Sequence, residues 1–245
     1  MFGADCLNSN LESIIKLNDV CNRYGVDTIS AGATMAFTIE CYERGLITKA
    51  DTDGIEMTWG NHKSIVAMTE KMVRREGFGD VLADGVKLAA RRIGRGASRY
   101  AIHIQGQEVP AHDPKFGYHW ATTYRLDATP ARHTQGPGMP LPGLPIPKHK
   151  RRTFAGRGEA HKLGSNFSHV VSCTGTCLFA YWALPHVDAF LEFMSAISGW
   201  DFTVDELFKT GERIANMRQA FNIREGLNPL KFKVPGRVYG NPPPK

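Results

Sequence analysis

No apolar run in this sequence approaches the ~18–20 residues that a bilayer-spanning helix needs, and the opening MFGADCLNSN has neither the basic stretch nor the apolar core of an export signal. A soluble, unexported chain with no membrane partner is therefore expected, with the cytoplasm as its compartment. Cysteines are few and odd in number, five at irregular spacing, which argues against a secreted disulfide framework and fits a reducing environment. Cys173 and Cys177, split by Gly175, have no second CxxC-type pair, so a metal site built wholly from this chain would lack its usual other half. Either these two are plain core residues or a partner supplies the rest. Nucleic-acid signatures are missing too: the one basic cluster, KHKRR at 148–152, has no RNP, zinc-finger or helix-turn-helix pattern beside it. It reads as a solvated loop or an anion-binding patch, and no nucleic-acid partner is expected. Internal repeats and clear strand patterns are absent.

What is present is the composition of an ordinary globular protein, 245 residues with 42% hydrophobic and 22% charged, enough for one large domain or two small ones. The first hundred residues read as helices punctuated by glycine. Ser9-Asn10-Leu11-Glu12 has capping-box spacing, and Leu11, Ile14, Ile15, Asn18, Cys21 and Asn22 follow a helical rhythm that Gly25 stops. Further helices are predicted over about 33–44, 63–75 and 80–93, closed by Gly45, Gly77 and Gly94.

Between His103 and His169 the pattern changes, because this stretch holds eight of the fourteen prolines and seven of the nine histidines. GPGMPLPGLPIP at 136–147 suits neither a regular helix nor a central strand. Aromatic residues such as Phe116, Tyr118, Trp120 and Tyr124 argue against disorder, so a long ordered loop is expected. Helix returns at 179–182 and 187–197, broken by Pro185, and Thr203-Val204-Asp205-Glu206 is a capping box opening a helix to about 221. The fold class is mainly α, with an expected division into residues 1–102 and 103–245.

Six strings in order carry a resemblance: CNRYGVDTIS (21–30), WG (59–60) with REGFGDVLADG (75–85), QGQEVPAHDP (105–114), ATPARH (128–133), GTCLF (175–179) and FNIREG (221–226). Together they resemble the C-terminal helical domains of tungsten-containing aldehyde:ferredoxin oxidoreductases, over nearly the whole chain. That resemblance implies tungsten held by two pterins and a [4Fe-4S] cluster, with aldehyde as substrate, ferredoxin as electron acceptor and a homodimeric assembly. It implies that Cys177 is the fourth cluster ligand, in a later motif of form D-x-x-G-L-C that here reads Ser172 to Cys177. Ser172 replaces the motif's aspartate and Thr176 its leucine, which leaves a neutral hydroxyl at the pterin-contacting position. The companion motif is Asn22-Arg23-Tyr24-Gly25-Val26-Asp27. By the same resemblance Asn22, Gly25, Val26, Asp27, Ser172, Gly175 and Thr176 bind cofactor; the residues alone also allow Asp27 to be the N-cap of the next helix.

His133 matches a family histidine near the metal, where an imidazole donates to substrate or moves a proton. His112 and Asp113 of AHDP read as a turn, and Cys21 as core. The other three cluster cysteines and the pterin-covering N-terminal domain belong to a part not seen in this sequence, so the chain alone is expected to be inactive. A relative acting on aromatic acyl thioesters is the second enzymatic implication, with KHKRR suited to a CoA phosphate. A helical scaffold without chemistry is the alternative outside enzymes.

Overall fold

The computed structural model describes residues 1–117, 119–137, 141–147 and 153–241, and the KHKRR cluster lies outside them. Two compact units emerge, Met1–Phe116 joined by the C-terminal segment from Phe232, and Gly117–Lys231. The boundary expected at 102/103 falls inside the first. Almost all regular structure is helical, and no described helix is long and apolar enough to cross a membrane.

In the first unit α1 spans Leu11–Tyr24 and starts one residue later than the Ser9 box suggests. Its cap is Asn10, whose side chain accepts from the Ser13 N–H at 2.8 Å while Ser13 Oγ donates back to the Asn10 carbonyl at 2.8 Å. Helix α2 spans Thr28–Glu43, about five residues longer at its start than predicted, and buries Ala31, Met35, Phe37, Ile39 and Cys41. Buried residues on several sides leave no amphipathic rhythm to read, the mark of a central helix. Against it pack α3, His62–Arg74, and α5, Val86–Ile93, with α4, Phe78–Leu82, packed on those two.

The predicted single helix over 80–93 is therefore two. Gly85 breaks it at φ 82, and Glu108 Oε1 accepts the freed Val86 N–H at 2.8 Å. Glu108 belongs to a two-stranded antiparallel hairpin, β1 His103–Ile104 and β2 Gln107–Glu108, a feature too short to show a pattern. The returning C-terminal segment is tied down by Arg237 Nη2 on Glu40 Oε1 at 2.5 Å.

The second unit contains α6, His119–Leu126, α7, Arg157–Cys173, α8, Leu178–Tyr181, α9, Val187–Ser198, and α10, Val204–Arg224. Thr203 Oγ1 caps α10 by accepting from the Glu206 N–H at 3.2 Å, as the sequence predicts. Helices α7 and α10 cross closely at Gly211, where an added Cβ would sit 2.0 Å from the Asn166 carbonyl oxygen. Phe167, Val170, Val171, Tyr181, Phe190, Phe202 and Leu207 form the core. The non-helical part of residues 103–169 is thus shorter than expected, since α6 and most of α7 lie within it. Leu141 is buried in this core and Pro142 accepts from the Val187 N–H at 2.9 Å, so the described part of the Pro-rich stretch is packed structure.

Candidate cofactor-facing site

The two six-residue motifs share one local construction. In the first, α1 ends at Tyr24, Gly25 turns left-handed at φ 67 and ψ 31, and Asp27 at φ −63 and ψ 120 begins α2. The Gly25 N–H donates to the Asn22 carbonyl at 3.3 Å and the Val26 N–H to the Cys21 carbonyl at 2.8 Å, a Schellman closure that only a left-handed residue permits at low cost. In the second, α7 ends at Cys173, Gly175 turns left-handed at φ 70, and Cys177 at φ −62 and ψ 127 begins α8. Asp27 and Cys177 therefore stand at the same backbone position, the N-cap of the next helix.

Their side chains meet that position differently. Asp27 caps α2 outright: its oxygens accept from the N–H groups of Ile29 at 3.4 Å and Ser30 at 3.0 Å, and from Ser30 Oγ at 2.8 Å. The capping alternative for this residue is the geometry adopted, and a carboxylate retains lone pairs for a second partner. At Cys177 no capping hydrogen bond of full geometry closes, yet the N–H groups of Ala180 and Phe179 direct their dipoles at Sγ and hold the thiol below its ordinary range. Cys177 and Cys173 are exposed. By contrast Cys6, Cys21 and Cys41 are buried, and desolvation pushes their thiols up to about 12, 11 and 12. Of the five cysteines, only the glycine-split pair is exposed.

Asn22 is exposed and donates to the Asn18 carbonyl at 2.9 Å, leaving its amide oxygen as an acceptor, while Val26 packs on the first unit's core. Ser172 is exposed and its Oγ accepts from Gln135 Nε2 at 3.1 Å. Thr176 Oγ1 accepts from Thr174 Oγ1 at 2.9 Å, within the turn itself. No Cβ-sized obstacle stands near Gly25 or Gly175, so both turns are open on that side.

His133 is half-buried on the loop after α6, edge-on to the Trp120 ring at 6.1 Å between centroids. That loop is anchored to α10 by a partly buried polar network that sequence reading missed. Arg218 Nη1 and Nη2 each donate to Asp127 at 3.3 Å, Nη2 donates to Thr129 Oγ1 at 2.7 Å, and Asn222 Nδ2 donates to the Ala128 carbonyl at 2.6 Å. His169 completes it. Its Nδ1 donates to the Ser165 carbonyl at 2.7 Å and its Nε2 accepts from Arg218 Nη1 at 2.7 Å. That arrangement needs a neutral ring, and burial pushes the His169 pKa down accordingly. The network joins the ATPARH block to the helix carrying FNIREG.

A cavity of about 410 Å³ opens beside this network, lined by Asp127, Gln135, His161 and His169 among others. Desolvation lowers His161 to about 4. Another cavity, of about 490 Å³, lies in the first unit against α2 and residues 109–115, and none of the residues singled out for cofactor binding lines it. Among the described residues no three His, Cys, Asp or Glu side chains converge to cage a metal ion.

Comparison with known proteins agrees with the family resemblance. A family model described as aldehyde ferredoxin oxidoreductase, domains 2 and 3, matches residues 1–245. The tungsten-containing aldehyde ferredoxin oxidoreductases of Pyrococcus abyssi and Pyrococcus horikoshii are each 33% identical over 99% of this chain, which spans only 40% of their length. An aliphatic sulfonate oxidoreductase, WOR-like subunit, of Pyrococcus furiosus is 27% identical over 95% of this chain and 35% of its own. In solved structures the same fold appears in the active-site complex BamBC of benzoyl coenzyme A reductase with 1,5-dienoyl-CoA, at TM-score 0.72 and 23% identity over 94% of this chain and 41% of that one.

Proposed function

Since this chain belongs to the aldehyde ferredoxin oxidoreductase family, matching its domains 2 and 3, we propose that it serves as the helical portion of a tungstopterin and [4Fe-4S] oxidoreductase that converts aldehyde and water to carboxylic acid. In this reading two electrons pass to ferredoxin in the cytoplasm, and the assembled enzyme is a homodimer. The observation that carries the reading is the Cys177 turn. An exposed thiol, held below its ordinary range by amide dipoles on a glycine-formed turn, is a soft donor ready for iron. The donor set fits one corner of a cluster, so three further thiolates come from polypeptide outside this chain, and the chain alone is inactive.

Held by Asn22, Asp27 and the second motif's turn, a bound tungstopterin would supply a two-electron centre, and a cluster held in part by Cys177 would supply one-electron relay. The roles of this chain's own residues follow from their positions. Gly175 lets the backbone leave α7 so that Cys177 points outward as a ligand. Asn22 and Asp27 offer acceptor oxygens to the ring-edge N–H groups of a pterin, with Gly25 and Val26 shaping that turn. Ser172, Gly175 and Thr176 form the matching edge of the second motif, where a hydroxyl stands in place of a carboxylate. His133, held against Trp120, takes up or delivers the proton that moves as aldehyde hydrate becomes acid.

The acyl-thioester reading rests on KHKRR, outside the described residues, and on a likeness of fold alone, so the aldehyde reading is preferred. Its test is Cys177→Ser in the enzyme assembled with the remainder of its polypeptide. Iron content falls from about four per chain toward three or none, with a changed spectrum; unaltered iron and spectrum would reject the ligand assignment. His133→Ala tests the other role. Turnover drops about a hundredfold with tungsten and iron retained, whereas undiminished turnover removes the histidine from the chemistry.

A further inference from the structure

Helix α7 carries three serines at helical spacing, Ser165, Ser168 and Ser172, and each one bonds to the segment just after His133. Ser165 Oγ donates to the Gln135 carbonyl at 2.7 Å, Ser168 Oγ to the Gly136 carbonyl at 2.8 Å, and Gln135 Nε2 donates to Ser172 Oγ at 3.1 Å. Residues 165, 168 and 172 fall on one face of the helix. Gln135 Oε1 also accepts from Thr134 Oγ1 at 2.8 Å, which sets the amide's orientation. Gly164 makes the approach of this segment to α7 close enough for the stitching, and Gly136 lets the same segment pass close to α6. A Cβ at Gly164 would lie 2.6 Å from Pro137 Cα, and one at Gly136 would lie 2.4 Å from Thr123 Oγ1.

We propose that Gln135 is a positioning residue. Its backbone and amide clip the His133 loop to the serine stripe of α7, so that His133 and the Cys177 turn are held as one piece. Ser172 is the last rung of that stripe and the first residue of the cysteine motif, and Gln135 lies two residues from His133. Movement of one end is passed to the other through a single side-chain hydrogen bond and two backbone anchors. The substitution of serine for aspartate in the motif keeps an acceptor facing Gln135, and an aspartate there would serve the same bond. The functional weight of the clip rests on the roles given above to His133 and Cys177; its existence does not.

The test uses this 245-residue chain without cofactor. Hydrogen exchange is followed by mass spectrometry in Gln135→Leu, Ser172→Ala and Ser172→Asp, with ring ¹⁵N signals of His133 assigned through His133→Gln. Exchange over residues 131–137 and 172–177 rises about fivefold in Gln135→Leu and in Ser172→Ala, the factor one neutral hydrogen bond confers, while α9 and α10 keep their protection. His133 signals shift or broaden in the same two variants. Ser172→Asp, which restores an acceptor, behaves as the parent. Unchanged local exchange in both loss variants overturns the proposal, as does a Ser172→Asp that fails to rescue. Ser172 is exposed, so its variants fold even should Gln135→Leu not. An assembled enzyme indifferent to His133→Ala would sink the proposed chemistry and leave this result standing.

Discussion

Asp27 and Cys177 show how much one side chain decides when backbone geometry is held constant. Both stand at φ near −63 before a helix, one residue beyond the glycine turn's exit. The carboxylate accepts from two helix N–H groups and from Ser30 Oγ, whereas the larger sulfur is polarised by the N–H groups of its own helix and stays outward. Asp27→Ala removes a three-bond cap and lowers the stability of the first unit by about 1 kcal/mol, while Asp27→Asn loses a few tenths. Urea midpoints of the two variants check this; equal stability of Asp27→Ala and the parent would show that the cap contributes nothing. Residue-level signals of this sort were partly legible. The Thr203 capping box reads correctly because Thr203 is followed at the right spacing by Glu206. The Ser9 box misleads by one position because Asn10 is an equally good cap and Ser13 bonds back to it. The Gln135 contacts could not be read locally, since partners 30 or more residues away complete them, although the 165, 168, 172 spacing was a visible hint.

At the scale of elements, α7 is the instructive case. Its sequence RGEAHKLGSNFSHVVSC mixes glycine, serine and histidine and lacks a clean apolar stripe, so all but its last turn reads as part of the loop. The reason is that α7 is buried on faces of different chemistry: aromatic core on one, the serine-stitched loop on another, and the backbone of α10 on a third. A helix used that way trades amphipathicity for close approach, and glycine supplies it. Gly211→Ala drives a Cβ against the Asn166 carbonyl, which belongs to rigid helix backbone and cannot turn aside. The second unit then loses about 2–3 kcal/mol. Gly158→Ala on α7 meets nothing within 4 Å and gains about 0.5–1 kcal/mol instead. Thermal melts of the pair decide the matter, since two variants with the same sign of shift would contradict the packing. A similar logic explains why one predicted helix over 80–93 is two: the signal that splits it, Glu108 reaching the Val86 N–H, lies 22 residues away.

At the scale of the molecule, the chain has two separately cored units whose titrating groups differ. In the second unit His161 and His169 are held neutral by desolvation, His161 down to about 4. A histidine whose folded pKa lies below its unfolded value of about 6.5 contributes stability that is fully present above 6.5. That contribution is lost as pH falls from 6.5 through the folded value, because the unfolded chain binds the proton more readily. The first unit has one such residue, His103, also lowered by burial, and its Asp5 is shifted the opposite way, so acid favours its folded form. The lowered carboxyls of Asp53 and Asp84 release their share only below the ordinary carboxylate value of 3.8. Between pH 6.5 and 4 the second unit therefore weakens first, by roughly 2 kcal/mol from His161. Fluorescence can follow this, because Trp120, Trp182 and Trp200 lie in the second unit and Trp59 in the first. A Trp59→Phe variant reports the second unit alone, and a variant keeping only Trp59 reports the first. The second-unit signal unfolds at the higher pH, and His161→Gln moves that transition toward acid while leaving the Trp59 signal in place. Coincident acid transitions in both reporters, or a His161→Gln transition at the parental pH, would show that buried imidazoles do not set the acid limit of this protein.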